Sequence, residues 1–322
     1  MDLDTIVSTL QAMIRFATPI TLAALAGVYS ERAGVVNIAT EGMMLASACV
    51  GFLASLYSFA AFGQAGPALT LGLIAALLTG LALALLHAVV SIRYKTDQII
   101  SGTVINILAV GATGYIYRAY LATGAPTSPG AFPYLSELPG IGLLFGLLEQ
   151  IPLLGPILFR HKPIAFLMLI LVLVTHYVMF HTTWGLRTRA VGEHPQAADT
   201  LGVNVYWMRY VNVLVGGLMA GLGGAWFTLE QVGIFTPNMT AGRGFIGLAA
   251  MIFGKWSPIG ALGAASLFGL AEAIQPLLQI FFRGFPYQFF SMIPYIITII
   301  VLAGVVGRAL PPAADGQPYE HA

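Results

Sequence analysis

Charged residues and cysteine are both scarce in this sequence. Only 8% of the 322 residues are Asp, Glu, Lys or Arg, and 14 basic residues against 13 acidic ones leave a net charge of +1. This balance does not provide the basic surface that nucleic acid or an anionic membrane surface would require, so neither is expected as a partner. The single cysteine, Cys49, excludes an intrachain disulfide and lies in an apolar run, where a thiol packs as a small hydrophobic group.

The common motifs of nucleotide, metal and nucleophile sites are also missing. No Gly-x-x-x-x-Gly-Lys-Ser/Thr loop is present, because Gly254-Lys255-Trp256 lacks the upstream glycine and the hydroxyl residue. His-Glu-x-x-His, paired Cys/His spacings and Gly-x-Ser-x-Gly do not occur either. Among six scattered histidines, His87 and His176 are expected to hydrogen-bond between helices rather than to bind metal. We predict no catalytic residues, no metal site and no cofactor bound by this chain.

Long apolar segments make up most of the chain instead. It is 58% hydrophobic with a mean hydropathy of +0.85, far above a soluble domain, so the bilayer must solvate most of it. A spanning helix needs roughly 20 mostly apolar residues. The segments that meet this requirement are 14–30, 42–62, 67–91, 99–119, 163–182, 209–230, 258–280 and 287–307.

Two stretches interrupt the apolar pattern. Residues 31–41 are mixed in character and indicate a re-entrant or unwound connection, which membrane proteins tolerate only where protein or a water-filled cavity lines it. The run at 244–254 is too short to span and is typical of a half-helix. Each precedes a long apolar run, which indicates two related halves. We therefore predict an all-α polytopic membrane protein with about eight or nine transmembrane helices in two pseudo-symmetric halves with broken or re-entrant segments.

A few polar side chains fall within these apolar regions. Asn37, Glu41 and Asn106 are candidates for the lining of a translocation path, since ionisable and polar groups inside a membrane are costly and often functional. A second interpretation stays open for Glu41, in which it satisfies the backbone N–H groups of unwound chain or pairs with Arg32. Asn106 is equally suited to bonding between helices. Glu230 and Glu272 are expected near span ends, where the interface solvates them.

The longest polar interval between apolar segments is 184–210, WGLRTRAVGEHPQAADTLGVNVYWMRY. Pro195 is typical of a first helical turn, where its missing N–H has no intrahelical partner. The following residues predict a short helix that ends at Gly202, because glycine commonly lies just past a helix end. An interval of this kind in an apolar chain is expected to contact a soluble partner.

Two strings in the sequence carry a resemblance. Ala197-Ala198-x-x-x-Gly202 resembles the coupling loop of bacterial ABC importer permeases, with Gln196 in place of the Glu that begins that signature. The fuller string GEHPQAADTLGVN resembles the form found in permeases for branched-chain amino acids, simple sugars and nucleosides. SERAGVVNIATEGMML, which begins at Ser30, is most similar to the nucleoside-type members.

The resemblance implies a function for the whole chain. Residues 1–310 would form one transmembrane permease domain and 311–322 a polar, disordered tail. The domain would lie in a bacterial inner membrane with the amino terminus outside and 184–210 in the cytoplasm. Its partners would be a cytoplasmic ABC ATPase that holds ATP and Mg²⁺, a second permease subunit and an extracytoplasmic substrate-binding lipoprotein. The residues implied in coupling to the ATPase are Arg187, Arg189, Glu193, Pro195, Gln196, Ala197, Ala198, Asp199 and Gly202.

Several alternatives stay open at this point. Within the same family the substrate is a nucleoside, or else a simple sugar or a branched-chain amino acid. Outside it, a stand-alone secondary transporter or channel shares the hydropathy, but it usually has several paired intramembrane charges for ion coupling, whereas here Glu41 stands out alone. A membrane-bound enzyme is disfavoured because no catalytic cluster is visible.

Overall fold

The computed structural model describes residues 3–122, 127–282, 284, 286–293, 296 and 309–320, and within them the chain is helical with no strand. The last turns of three long helices, α3, α4 and α10, are wound as π-helix and are counted as part of each helix. The helices are α1 Leu3–Arg32, α2 Thr40–Phe62, α3 Ala65–Arg93, α4 Gln98–Leu121, α5 Gly142–Leu148, α6 Leu154–Phe159, α7 Pro163–His181, α8 Thr183–Glu193, α9 Pro195–Thr200, α10 Val205–Val232, α11 Arg243–Phe253, α12 Pro258–Phe281 and α13 Tyr287–Ser291.

Seven of these helices are long and apolar enough to cross a membrane, among the residues described: α1, α2, α3, α4, α7, α10 and α12. They confirm seven of the eight predicted spans, and α11 confirms the predicted half-helix. The remaining prediction, 287–307, lies mostly outside the described residues. The α1 helix begins well before the predicted start at residue 14 because Asp4, Ser8 and Gln11 lower the hydropathy of its first turns without breaking the helix.

The helices α1 and α10 form the centre of the bundle. The most apolar window of each is 78% buried, against 28% for α3 and for α4. The α10 helix packs on α1, α2 and α3, and α1 also packs on α11 and α12. The outer faces of α3, α4 and α7 carry exposed leucine, isoleucine and valine side chains, as expected for helices that face lipid or another membrane subunit.

The crossing of α3 and α10 is made by glycine backbone and one alanine side chain. A Cβ added at Gly80 would overlap the carbonyl oxygen of Gly217, and one at Gly217 would overlap the side chain of Ala84. The Gly221 backbone lies against Gly80 as well. Small residues permit such close approach, which membrane helices use because apolar side chains gain little by leaving apolar lipid.

The carboxyl-terminal residues differ from the expectation of a disordered tail. Residues 309–320 lie along the end of the bundle that carries α8 and α9, and Ala314 and Tyr319 are buried there. The Ala314 N–H donates to the carbonyl oxygen of Gly192 at 2.9 Å. A polar composition predicted disorder, but it did not reveal these contacts with the rest of the chain.

The glycine crossing provides a test of the packing. Gly80→Ala should destabilise the protein by about 1–3 kcal/mol, the cost of forcing an extra group into a packed interior. The control is Gly111→Ala, since a Cβ at Gly111 on α4 meets no atom within 4 Å. The measurement is the apparent Tm of each purified variant in detergent. Equal melting of both variants would contradict the close crossing.

Candidate functional site

The connection between α1 and α2, residues 33–39, is irregular and almost entirely buried. Side chains at the facing ends of α3 and α4 satisfy its backbone. The Val36 N–H donates to Gln98 Oε1 at 2.7 Å, and the Val36 carbonyl lies 3.0 Å from His87 Nε2. His87 Nδ1 is 3.0 Å from Ser101 Oγ. The predicted role of His87 as a hydrogen-bonding group between helices is therefore confirmed.

Two of the predicted path residues are found here: Asn106 binds this segment from α4, and Asn37 belongs to the segment itself. Asn106 Oδ1 accepts the Gly42 N–H at 2.7 Å, and its Nδ2 donates to the Ile38 carbonyl at 3.0 Å. Asn37 is fully buried, and its Nδ2 donates to Ser30 Oγ at 3.3 Å. The Asn106 amide thus satisfies two backbone groups, as a membrane interior requires. Asn37 Oδ1, by contrast, is buried and has no hydrogen-bond partner among the described residues.

Glu41, the third predicted path residue, lies in the first turn of α2 and joins the two interrupted regions. Its Oε1 accepts the Gly242 N–H at 2.8 Å and its Oε2 accepts the Gly244 N–H at 2.6 Å. These donors belong to the start of α11, whose first N–H groups have no partner within the helix and whose dipole favours a negative charge. The carboxylate therefore satisfies backbone N–H groups, as the second interpretation of Glu41 expects. A role in the path stays a prediction.

Two further glutamates were expected to be solvated at span ends, and this expectation is wrong. Both are held by contacts inside the protein instead. Glu230 is 2% exposed, and its carboxylate accepts the N–H groups of Ile164 at 2.5 Å and Ala165 at 3.1 Å, at the start of α7. Glu272 forms an ion pair with Arg243 at 3.0 Å. The sequence places both glutamates near helix ends, but it does not show that neighbouring helix starts and cations lie within reach.

The predicted short helix in 184–210 is confirmed as α9. Pro195 is its first residue, and Gly202 follows it with a φ of +80°, a left-handed conformation that disfavours other residues. The Gly202 N–H donates to the Asp199 carbonyl at 2.8 Å and the Val203 N–H to the Ala198 carbonyl at 3.1 Å. These bonds satisfy carbonyl groups that the end of a helix leaves free.

The α9 helix has one face on the bundle and one in the open. Ala198 is buried among Val191, Val205 and Met208, whereas Gln196, Ala197 and Gly202 are exposed. Leu201, at the end of the helix, is 85% exposed, the highest value among the large hydrophobic residues whose exposure the structure describes. An isolated surface leucine would be ordinary, but here it is at the tip of a projecting helical turn.

The remaining predicted coupling residues lie on or next to α8. Arg187 is exposed, whereas Arg189 is half-buried with its guanidinium carbon 5.2 Å from the centroid of the Phe180 ring. The Glu193 carboxylate accepts the Ala313 N–H at 3.2 Å. The structure thus places all nine predicted coupling residues on one segment, in which Arg189, Glu193, Ala198 and Asp199 are partly engaged by the protein itself.

The contacts of Glu41 predict the behaviour of two variants. Glu41→Ala leaves two backbone N–H groups unpaired, at a cost of about 1–3 kcal/mol each, so it should lower the apparent Tm and the amount in the membrane. Glu41→Gln keeps a single acceptor oxygen and should fall between Glu41→Ala and the native chain. Glu137→Ala serves as the matched control, because the bond it removes, from the Tyr134 N–H at 3.2 Å, lies at an exposed site where water can replace the carboxylate. Unchanged stability in Glu41→Ala would contradict the capping role.

Comparison with known proteins agrees with this architecture. The family described as "Branched-chain amino acid transport system / permease component" matches residues 9–302. The guanosine ABC transporter permease protein NupQ of Bacillus subtilis is 42% identical over 99% of this chain and 98% of its own length. The nucleoside ABC transporter permease protein NupC of Lactococcus lactis is 39% identical over 98% of both chains.

Two weaker similarities add to this. A second guanosine ABC transporter permease protein of Bacillus subtilis, NupP, is 29% identical over 80% of this chain and 70% of its own length. A solved structure described as an inward-facing conformation of a putative metal-chelate type ABC transporter superposes on this chain with a TM-score of 0.50 at 16% identity. The alignment covers 92% of this chain and 84% of the transporter chain. At that identity the structure shows the fold alone. With seven candidate spans among its described residues, the chain is a multi-pass membrane protein that belongs to the branched-chain amino acid transport system / permease component family.

Proposed function

We propose that this chain is the permease subunit of an ABC importer that carries nucleosides, and that segment 184–210 couples it to a separate ATPase. The observation that carries the coupling role is α9, a short helix that projects between α8 and α10 with an exposed leucine at its tip. The nucleoside substrate is supported by the descriptions of NupQ and NupC, which align with nearly the whole chain.

A chain of direct contacts connects α9 to the centre of the bundle, so a displacement of α9 can reach it. Val205, the first residue of α10, packs with Ala198 of α9. Asn212, two turns further along α10, donates to Thr188 Oγ1 of α8 at 3.1 Å. Further on, Gly216 lies against the α1 backbone and Gly224 against the α2 backbone. The α10 helix therefore connects the projecting segment to the helices that hold the unwound connection, as alternating access requires.

The same proposal assigns the partners. ATP and Mg²⁺ bind the cytoplasmic ATPase, because this chain has no phosphate-binding loop. A second, homologous permease completes the membrane domain, which is consistent with the similarity of both NupQ and NupP to this chain. A lipoprotein outside a bacterial inner membrane delivers the substrate. Residues 1–310 form the permease domain and 311–322 an appended segment.

The path through this domain is proposed to pass the unwound connection between α1 and α2. Asn37, Glu41 and Asn106 cluster there, and the same residues brace the local structure through their hydrogen bonds. In this proposal the path opens beside a wall in which Glu41 and Asn106 are hydrogen-bonded to backbone, whereas Asn37 Oδ1 is a buried acceptor without a hydrogen-bond partner among the described residues. Such a wall offers the substrate few strong partners, which suits transport, since tight binding would slow release.

Leu201 provides a test of the coupling surface. Leu201→Asp should weaken retention of the ATPase about tenfold, because burying a leucine at an interface is worth about 1.5–3 kcal/mol. The control is Tyr94→Asp, a site that is 72% exposed between α3 and α4, and this change should have a smaller effect. Retention is measured by co-purification of the ATPase with tagged permease. Equal retention in the two variants would argue against α9 as the contact.

The transport assay tests the substrate and the energy source together. The permease pair and ATPase, reconstituted in liposomes with the binding protein, should take up labelled guanosine only when ATP is present on the side of the membrane that holds the ATPase. Excess unlabelled nucleoside should compete, whereas glucose and leucine should not. Competition by glucose would favour a sugar importer, and uptake driven by an ion gradient without ATP would favour a secondary transporter.

A further inference from the structure

Residues 309–320, called the strap from this point, cross the end of the bundle that carries α9. Their backbone is tied down at several points. The Ala314 N–H donates to the Gly192 carbonyl at 2.9 Å, and the Gln317 carbonyl accepts from Arg209 Nη1 at 2.9 Å. Arg209 is 2% exposed, so the strap covers the charged end of a buried side chain.

The strap touches α9 through one aromatic residue. Tyr319 is 5% exposed and packs in the cluster that contains Ala198, Val191, Val205 and Met208. Its ring meets that of Tyr206 edge to face, with centroids 5.5 Å apart. The Tyr206 hydroxyl donates to the Tyr319 carbonyl at 3.1 Å. Because a buried aromatic side chain covers a large apolar area, Tyr319 is the main apolar anchor of the strap.

The hydroxyl of Tyr319 makes a second contact with α9. Burial raises the pKa of Tyr319 to about 12, together with its hydrogen bond to Asp199 and the negative charge of that carboxylate. Asp199 and Ala198 both belong to the predicted coupling residues. The strap therefore holds α9 by one apolar and one polar contact, while the Leu201 tip of the same helix stays exposed.

The strap also reaches the unwound connection between α1 and α2. A Cβ added at Gly34 would lie 3.1 Å from the Ala314 carbonyl oxygen, and one at Gly316 would lie 3.4 Å from Val36 Cγ2. At its end, Glu320 pairs with Lys95 between α3 and α4 at 2.6 Å, an exposed pair of small energetic weight. One short segment thus contacts α9, the unwound connection and the α3–α4 turn.

We propose that the strap is a positioning element that links α9 to the unwound connection, with Tyr319 as its positioning residue. The proposal rests on the coupling function proposed for α9. It differs from the path through α10, because the strap runs along the outside of the bundle and meets Gly34 and Val36 directly. Displacement of α9 by the ATPase then reaches the connection by a second route. A permease without the strap should still bind ATPase through the exposed face of α9.

The test compares Tyr319→Ala with Gln317→Ala in liposomes that contain the complete transporter. The Gln317 side chain is exposed in the same strap and binds only Ala313 within it, while the carbonyl that accepts from Arg209 remains. In Tyr319→Ala, substrate moved per ATP hydrolysed should fall about tenfold, within the range seen when residues that carry coupling are changed. In Gln317→Ala it should stay at the native value, and both variants should retain the ATPase.

The outcomes separate the two proposals. If the native transporter shows no ATP-driven uptake, the function proposed for the chain fails. If it does, and Tyr319→Ala lowers only the amount of protein while uptake per ATP is unchanged, the strap is merely structural and the inference is overturned. Should Tyr319→Ala not accumulate, Tyr319→Phe decides, since it removes only the hydroxyl bond to Asp199. A fall of about threefold is expected from one such bond, and no fall overturns the inference.

Discussion

The structure depends on one constraint, that backbone N–H and C=O groups away from water must find partners within the protein. The connection between α1 and α2 abandons helical hydrogen bonding and is buried, so Gln98, His87 and Asn106 supply what the helix would have supplied. The start of α11 has the same need, and Glu41 meets it with both carboxylate oxygens. Glu230 does so for α7. The first role of these polar residues is therefore to satisfy interrupted backbone, and contact with substrate would be an additional role.

This constraint also explains how motion in one part can reach another. An interrupted segment held by side chains from α3 and α4 shifts only if those helices shift with it. The α10 helix packs on three of the other long helices and follows directly after α9. A rigid central helix, a projecting turn and a braced connection are the parts that a two-state element requires.

The sequence predicted most of the fold because apolar length and glycine placement are local signals. It located α9 from Pro195 and Gly202, and it located α11 from the shortness of its apolar run. It did not predict that Glu230 caps α7 or that Tyr319 packs on Ala198, because the partners are 65 or more residues away and no periodicity links them. For Glu41 it left two roles open. The sequence around a lone carboxylate in an apolar chain does not reveal whether the carboxylate binds backbone N–H groups or substrate.

The contact of α3 with α10 at Gly80 and Gly217 has a mechanical consequence. Where helices meet through interleaved side chains, ridges sit in grooves, and a change of crossing angle must lift one set out of the other. Here the contact involves glycine and alanine over about two turns of α3: a Cβ at Gly221 would lie 2.9 Å from the Ala76 carbonyl oxygen, and one at Gly217 would overlap the Ala84 side chain. Because these residues are small, the two helices can shift along this seam without lifting large side chains out of grooves. The glycines thus place a smooth surface between the central helix and one of its outer neighbours.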